Sequence, residues 1–556
     1  MPHDRPSDDD ALPDRCPPRR AHSLDRRDFL RRAAAASLAL GAGGPLLAAC
    51  AEGTGRRSGR ARAAPPDFDA RYREALRRAE SAGPPDRELR LVAEPGEVSI
   101  GPDGGRSTWL YSGRYPGPEI RVTEGDRLRV TVENRLPEPT TVHWHGVPVP
   151  NAMDGVPGVT QPAIPPGETF VYDYVAEPAG TYMYHSHVGL QLDRGLLGPL
   201  VIEERDPHVA WDREHVVMLD DWLPGDPVPA SERADGGMGG MMEGMRGMMG
   251  GRGDGGGRRG RGMMGRERGG MMGGQGGMRR FDPARPAYRS LLVNGRPPED
   301  PPALEVRSGE RVRLRLVNPA SATTFRVAIA GHRMAVSHAD GRPVAPVTVD
   351  SLVIGPGERY DVIVAADRPG AWNLVAESGL GSPPAARAVL RYSDAARSRP
   401  PEGQRPEGLD GGRGLRLSDL ASTEAAPHEA GAPDRVLELA LSWGMMMNPG
   451  EWTIDGARYP DASPLEVREG ERVRVHMVNH SPIHHPMHLH GHFFRAGDAL
   501  KETLLVPAHM GRRSFEFTAD NPGDWLFHCH NLYHLEAGMA RVVGYSTAEG
   551  GIGSRG

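Results

Sequence analysis

One pattern of thirteen residues, met three times, sets what this chain of 556 residues can fold into. It reads VTEGDRLRVTVEN at Val122–Asn134, VRSGERVRLRLVN at Val306–Asn318 and VREGERVRVHMVN at Val467–Asn479. Each copy is a glycine turn followed by alternating apolar and polar residues, the mark of a half-buried strand. The copies start 184 and 161 residues apart, so three similar domains are expected. Around them, short alternating runs are broken by Gly, Pro and Asn, and 73 glycines and 53 prolines supply the turns. That composition and spacing point to an all-β chain of stacked sandwiches.

The repeat also fixes the frame in which the histidines are read. Nine residues after Asn134 comes His143-Trp144-His145, and nine after Asn479 comes His488-Leu489-His490. The same offset from Asn318 reaches Val327-Ala328-Ile329, with no histidine. A second strand behaves alike: Gly180 leads to His185-Ser186-His187 and Gly523 to His528-Cys529-His530, whereas Gly370 leads to Val375-Ala376-Glu377. In a strand, residues i and i+2 share a face and the residue between them points away. Any one such pair, taken alone, reads more readily as a half-buried strand pair without a metal. Two matched quartets suggest a metal cluster between the first and last domains, with the middle domain as a spacer.

The last group carries more. His528-Cys529-His530 is followed by His534 and Met539, and a thiolate, imidazoles and a thioether at this spacing fit a trigonal blue-copper site with a weak axial Met. Cys529 would hold one metal while His528 and His530 face others. Only three cysteines occur, Cys16, Cys50 and Cys529, too few for a disulfide scaffold.

Both other cysteines fall in an export segment. Arg26-Arg27 within SLDRRDFL resembles a twin-arginine signal, and the small apolar run that follows ends in Leu47-Ala48-Ala49-Cys50, like a bacterial lipobox. Two readings stand for Cys50: acylation, giving a membrane-attached lipoprotein, or an ordinary cleaved signal. The expected location is periplasmic or cell-surface. Eleven of the 23 methionines lie in a Gly/Met/Arg-rich stretch, 236–280, which cannot build a core; it is either a Cu(I)-binding insertion or a low-complexity loop. Met445-Met446-Met447 offers a further soft cluster. A net charge of -6 argues against nucleic acid as partner.

The motifs H-W-H-G, H-S-H, H-x-x-H-x-H-G and H-C-H-x₃-H-x₄-M, in this order, resemble those of the multicopper oxidases, the laccases and bacterial copper-resistance oxidases among them, over roughly residues 85–548. The resemblance implies three cupredoxin-like Greek-key β-sandwich domains and four coppers per chain. Type 1 copper would take His485, Cys529, His534 and axial Met539; type 2 would take His143 and His488; the type 3 pair would take His145, His185, His187, His490, His528 and His530. The implied activity couples four one-electron oxidations of Cu(I) or a small organic reductant, received on the exposed side of type 1, to reduction of dioxygen to water, in a setting of copper tolerance. A thioether axial ligand implies a modest type 1 potential.

Asp154 stands where family members carry an acidic residue near type 2 copper, and equally reads as a turn aspartate before Gly155. Glu536 is a second candidate proton relay, and His484 and His492 are expected beside the ligands rather than among them. Where well-known cuprous oxidases carry Asp and Met before the third motif, this chain reads Ser481-Pro482-Ile483. A copper store would explain the methionines but not two matched quartets, and a single-site electron carrier needs only the type 1 donors. The expected plan is 1–50 signal, 51–85 tether, 86–205, 206–395 and 433–548 as domains, 396–432 linker and 549–556 tail.

Overall fold

A computed structural model of the chain describes residues 67–81, 83–101, 105–223, 225–229, 232, 285–379, 384–395, 399–424, 431–444 and 450–546. The export segment with Cys16 and Cys50, the Met-rich stretch 236–280, Met445-Met446-Met447 and the tail 549–556 lie outside the described residues. The described strands form six sheets, two for each copy of the repeat, in the all-β arrangement of three Greek-key sandwiches.

The repeated strand sits at the same place each time. Arg127–Asn134, Arg311–Val317 and Arg472–Asn479 each pair in parallel with an earlier strand (Arg87–Ser99, Arg213–Trp222 and Arg435–Trp443). Each pairs antiparallel with Thr169–Val175, Arg359–Ala365 or Gly511–Thr518 on its other side. Alternation sends Leu128, Val130 and Val132 into the first core, Val312, Leu314 and Leu316 into the second, and Val473, Val475 and Met477 into the third. Burying side chains of this size contributes about 1.5–3 kcal/mol each.

In the middle copy the opposite face is buried too. Arg313 and Arg315 lie on it at 0% and 1% exposure, and they meet Asp361, Glu214 and, from the first sandwich, Glu204 and Thr181. A charge pattern that reads as solvated in sequence is therefore an internal seam.

The second sheet of the first and third sandwiches carries the histidines. Gly180–His185 lies between His143–His145 and Leu197–Glu203, and Asp524–Cys529 lies between His485–Leu489 and Ala540–Tyr545. Ala371–Ser378 occupies the matching place in the middle sandwich. The helix Phe68–Ser81, expected within a tether, instead docks on the first sandwich. Tyr72, Ala75 and Leu76 pack against its core, and the Tyr72 ring lies 4.4 Å from that of Phe170.

Candidate metal centre

Strand register brings the histidines face to face. His143 is the cross-strand partner of His185 in the first sandwich, as His488 is of His528 in the third. The middle sandwich pairs Val327 with Ala376 and Ala328 with Val375 on the matching strands, so it presents no imidazole. The two quartets then interleave: the His143 ring stacks on His490 and the His145 ring on His488, both at 3.9 Å between centroids. Donor atoms of His143, His145 and His185, of His143, His488 and His490, and of His187, His490 and His528 each lie within 4.8 Å of one another.

The hydrogen bonding of these rings tests whether metal fits. His143 Nδ1 lies 2.8 Å from the Asp154 carbonyl, His185 Nδ1 2.9 Å from that of Ser186, and His488 Nδ1 3.0 Å from that of Glu502. The opposite nitrogens, Nε2 of His143, His185 and His488, are buried without a partner, as are His187 Nε2, His145 Nδ1 and both ring nitrogens of His530. A buried polar atom left unpaired costs about 1–3 kcal/mol, and so many around one space is the state of a ligand cage whose outer nitrogens are already oriented.

Burial above all holds His185 down to about 3 and His528 to about 4. It lowers His145, His187, His488, His490 and His530 far below the usual imidazole value as well, with neighbouring imidazoles adding to the effect. These seven rings are therefore neutral at physiological pH, the form that binds metal.

A second donor group lies across the strand. Trp144 turns from its two histidines into the first core, while Ser186 turns to Gln191, its Oγ donating to Oε1 at 2.7 Å. At the position matching Ser186, Cys529 meets His485 and His534: its Sγ is 3.5 Å from Nδ1 of each, and those nitrogens are 3.2 Å apart. His485, Cys529, His534 and Met539 are all at 0% exposure. The expected exposed side of this group is thus closed, with Ser481 Oγ 2.8 Å from His485 Nε2 and the Trp452 ring stacked on His534 at 3.8 Å. A thiolate and two imidazoles form a donor set that suits copper, and the Met539 backbone adjoins it, its carbonyl accepting from the Cys529 N–H at 3.1 Å.

Asp154 is fully buried against the cage, with Oδ1 3.2 Å from His143 Nδ1 and Oδ2 3.1 Å from His490 Nδ1. Its turn is forced by Gly155, where an added Cβ would lie 1.9 Å from the Val142 carbonyl oxygen. Glu536 is exposed at the rim of a cavity of about 380 Å³ lined by His185, His187, His528 and His530. His492 lies outside the cage, bonded to the His490 carbonyl and the Tyr545 hydroxyl, and His484 is exposed.

The residues that sequence reasoning missed are Glu502 and Arg359. Glu502 Oε1 is 3.1 Å from His145 Nε2, and its Oε2 accepts from Arg359 Nη2 at 2.8 Å. The available signal was a charged pair, Lys501-Glu502, inside the apolar run Ala499–Val506. Arg359 comes from the middle sandwich, so that domain is more than a spacer.

Sandwich folds with a buried thiolate-imidazole site beside an eight-histidine cage define a copper protein with two coupled centres. Three family models described as multicopper oxidase match residues 94–207, 265–395 and 435–549. The chain is 37% identical over 476 residues to the multicopper oxidase MmcO of Mycobacterium tuberculosis, covering 82% of this chain and 86% of that one. It is 33% identical to a copper resistance protein A homolog of Pseudomonas syringae pv. tomato, over 81% and 91% of the two chains. A crystal structure of a multicopper oxidase from Pseudomonas thermotolerans superimposes with a TM-score of 0.60 at 28% identity, covering 83% and 99%. The chain belongs to the multicopper oxidase family. It is an oxidoreductase with four coppers, and it couples one-electron oxidation of a reductant to the reduction of dioxygen to water.

Proposed function

We propose that the donors divide as the resemblance implies: His485, Cys529, His534 and axial Met539 for type 1 copper, His143 and His488 for type 2, and His145, His185, His187, His490, His528 and His530 for the type 3 pair. The interleaved quartets and the unpartnered ring nitrogens support this division. When bound, copper supplies one-electron acceptance at the first site and four-electron delivery to dioxygen at the second. The chain's part is to join them. Cys529 faces one site, and its chain neighbours His528 and His530 face the other, so the connection is covalent throughout. Asp154 is our candidate to hold and hand on a proton beside His143 and His490, with Glu536 at the cavity rim as the second.

We further propose Cu(I) as the reductant, in a role in copper tolerance. One observation carries this: soft donors crowd the outside of the closed type 1 site. His484 is exposed and adjoins His485 in the chain, and the loop over it is pinned by His509 N–H to the Ser481 carbonyl at 2.9 Å and Met510 N–H to that of Asn479 at 2.8 Å. His509 is exposed and Met510 is 54% exposed. A thioether favours Cu(I), and imidazole suits copper among other metals. The methionines of 236–280 and the likeness to a copper resistance protein A homolog agree.

Oxygen uptake with Cu(I) and with a phenol tests the choice, using the intact chain, a His484→Ala/Met510→Leu double variant and a deletion of 236–280. The expected result is a raised KM for Cu(I) in the double variant, with phenol oxidation unchanged. Equal losses with both reductants, or none, would sink the Cu(I) reading. For location, we propose twin-arginine export and anchoring through acylated Cys50; Cys50→Ala should release the protein from the membrane fraction.

A further inference from the structure

Among the cage histidines His145 is the inverted one. His143, His185 and His488 each tie Nδ1 to a carbonyl and leave Nε2 buried and unpartnered. His145 does the reverse: Nε2 is held, 3.1 Å from Glu502 Oε1, and Nδ1 is left unpartnered. An inverted ring needs its own device, because the neutral imidazole carries one proton and the hydrogen bond made by one nitrogen decides which of the two can bind metal.

We infer that Arg359 and Glu502 are that device: a buried clamp in which the middle domain, which supplies no copper ligand, sets which nitrogen of His145 faces the cluster. This rests on the ligand division proposed above. The carboxylate has little freedom. Arg359, at 0% exposure, donates from Nη2 to Oε2 at 2.8 Å and from Nη1 to Oε1, and its Nε donates to the Thr181 carbonyl at 3.0 Å. Thr503 Oγ1 donates to Oε1 at 2.9 Å.

The backbone beneath is pinned from the same domain. Asp340 Oδ2 accepts from Thr503 N–H at 3.2 Å and meets Lys501 Nζ at 3.0 Å, while Glu358 Oε1 meets that ammonium at 3.1 Å. In its ionised form, with Arg359 and Thr503 donating to its oxygens, Glu502 offers His145 only an acceptor, which puts the ring proton on Nε2 and the lone pair on Nδ1. A buried ion pair contributes little net stability over an apolar replacement. A directed hydrogen bond to an imidazole is what an apolar pair could not supply. Arg359 and Glu502 are positioning residues, acting through His145.

The test reads the ring itself. Histidine-labelled, metal-free protein is examined by ¹⁵N NMR for the His145 tautomer, and copper per chain and the type 2 and type 3 spectra are recorded after loading. The intact chain is expected to show the Nε2–H tautomer. In Glu502→Leu, the tautomer should mix or invert, copper affinity of the cluster should fall about 10–100-fold, and the blue type 1 absorption should persist. Arg359→Met should move the tautomer the same way, and Glu502→Gln, which keeps an acceptor oxygen, should move it less, giving readouts if the leucine variant does not fold. The inference is overturned if the variants keep the Nε2–H tautomer and full copper, or if they lose only melting temperature. Failure of the ligand division itself would show separately, as an intact chain that binds fewer than four coppers.

Discussion

His145 and Glu502 stand 357 residues apart in the chain and 3.1 Å apart in space. Their contact joins the first and third sandwiches directly, and Arg359 from the second closes on the same carboxylate. All three domains therefore meet at one buried carboxylate, itself within hydrogen-bond distance of the His145 imidazole.

Gly357 tests how tightly that meeting is packed. Its φ is +86°, and an added Cβ would lie 3.0 Å from ring carbons of His530 and 3.1 Å from Cε1 of His145. Gly357→Ala is expected to cost about 1–3 kcal/mol in backbone strain and to displace both rings. Thermal melting and copper analysis should show a lower midpoint and a substoichiometric cluster.

Replacing Met539 by leucine removes the thioether while nearly keeping volume, a change that costs under about 1.5 kcal/mol in a core. Met539→Leu should retain the blue absorption and raise the type 1 potential, as read by redox titration of that band. An unchanged potential would mean that the sulfur is not an axial donor.

Asp154→Ala separates proton delivery from electron entry. Positioned acid–base groups contribute about 10²–10⁴-fold, so steady-state oxygen reduction should fall at least a hundredfold. Anaerobic reduction of the blue band by the same reductant should keep its rate. Parallel loss of both would assign Asp154 to the fold alone.

Acid should loosen the seam between the first two sandwiches. Glu204 meets Arg313 Nη1 at 2.6 Å and His338 Nε2 at 3.1 Å. Burial by itself would raise this carboxyl, but the His338 hydrogen bond and the Arg313 charge outweigh it and hold the group well below the usual carboxylate range. A depressed folded-state pKa gives stability that is complete above the unfolded value of 4.5 and is lost as pH falls below it. The intact chain should melt above Glu204→Gln by about 1–3 kcal/mol at neutral pH, and differential scanning calorimetry should show that gap narrowing from about pH 4.5 downward.

The sandwiches and the donors were legible because both rest on short-range rules. Strand alternation set His143 and His145 on one face, and the repeat told which strands match. Glu502, Arg359 and Asp340 obey no such rule: each is a charge in or beside an ordinary strand, and its meaning comes from which domain packs on it. The closure of the type 1 site was hidden for the same reason, since Trp452 reaches His534 from a strand 82 residues earlier. In the helix Phe68–Ser81 no residue is fully buried, and polar surroundings disguised its docking face.

The two histidine quartets come from opposite ends of the chain, at His143 to His187 and His488 to His530. A growing polypeptide therefore displays half a cage long before the other half exists, and imidazole pairs in that state have no geometry to choose among divalent metals, which then follow intrinsic affinity. The complete cage belongs to the finished chain. Timing, as much as ligand chemistry, is thus written into the order of the domains.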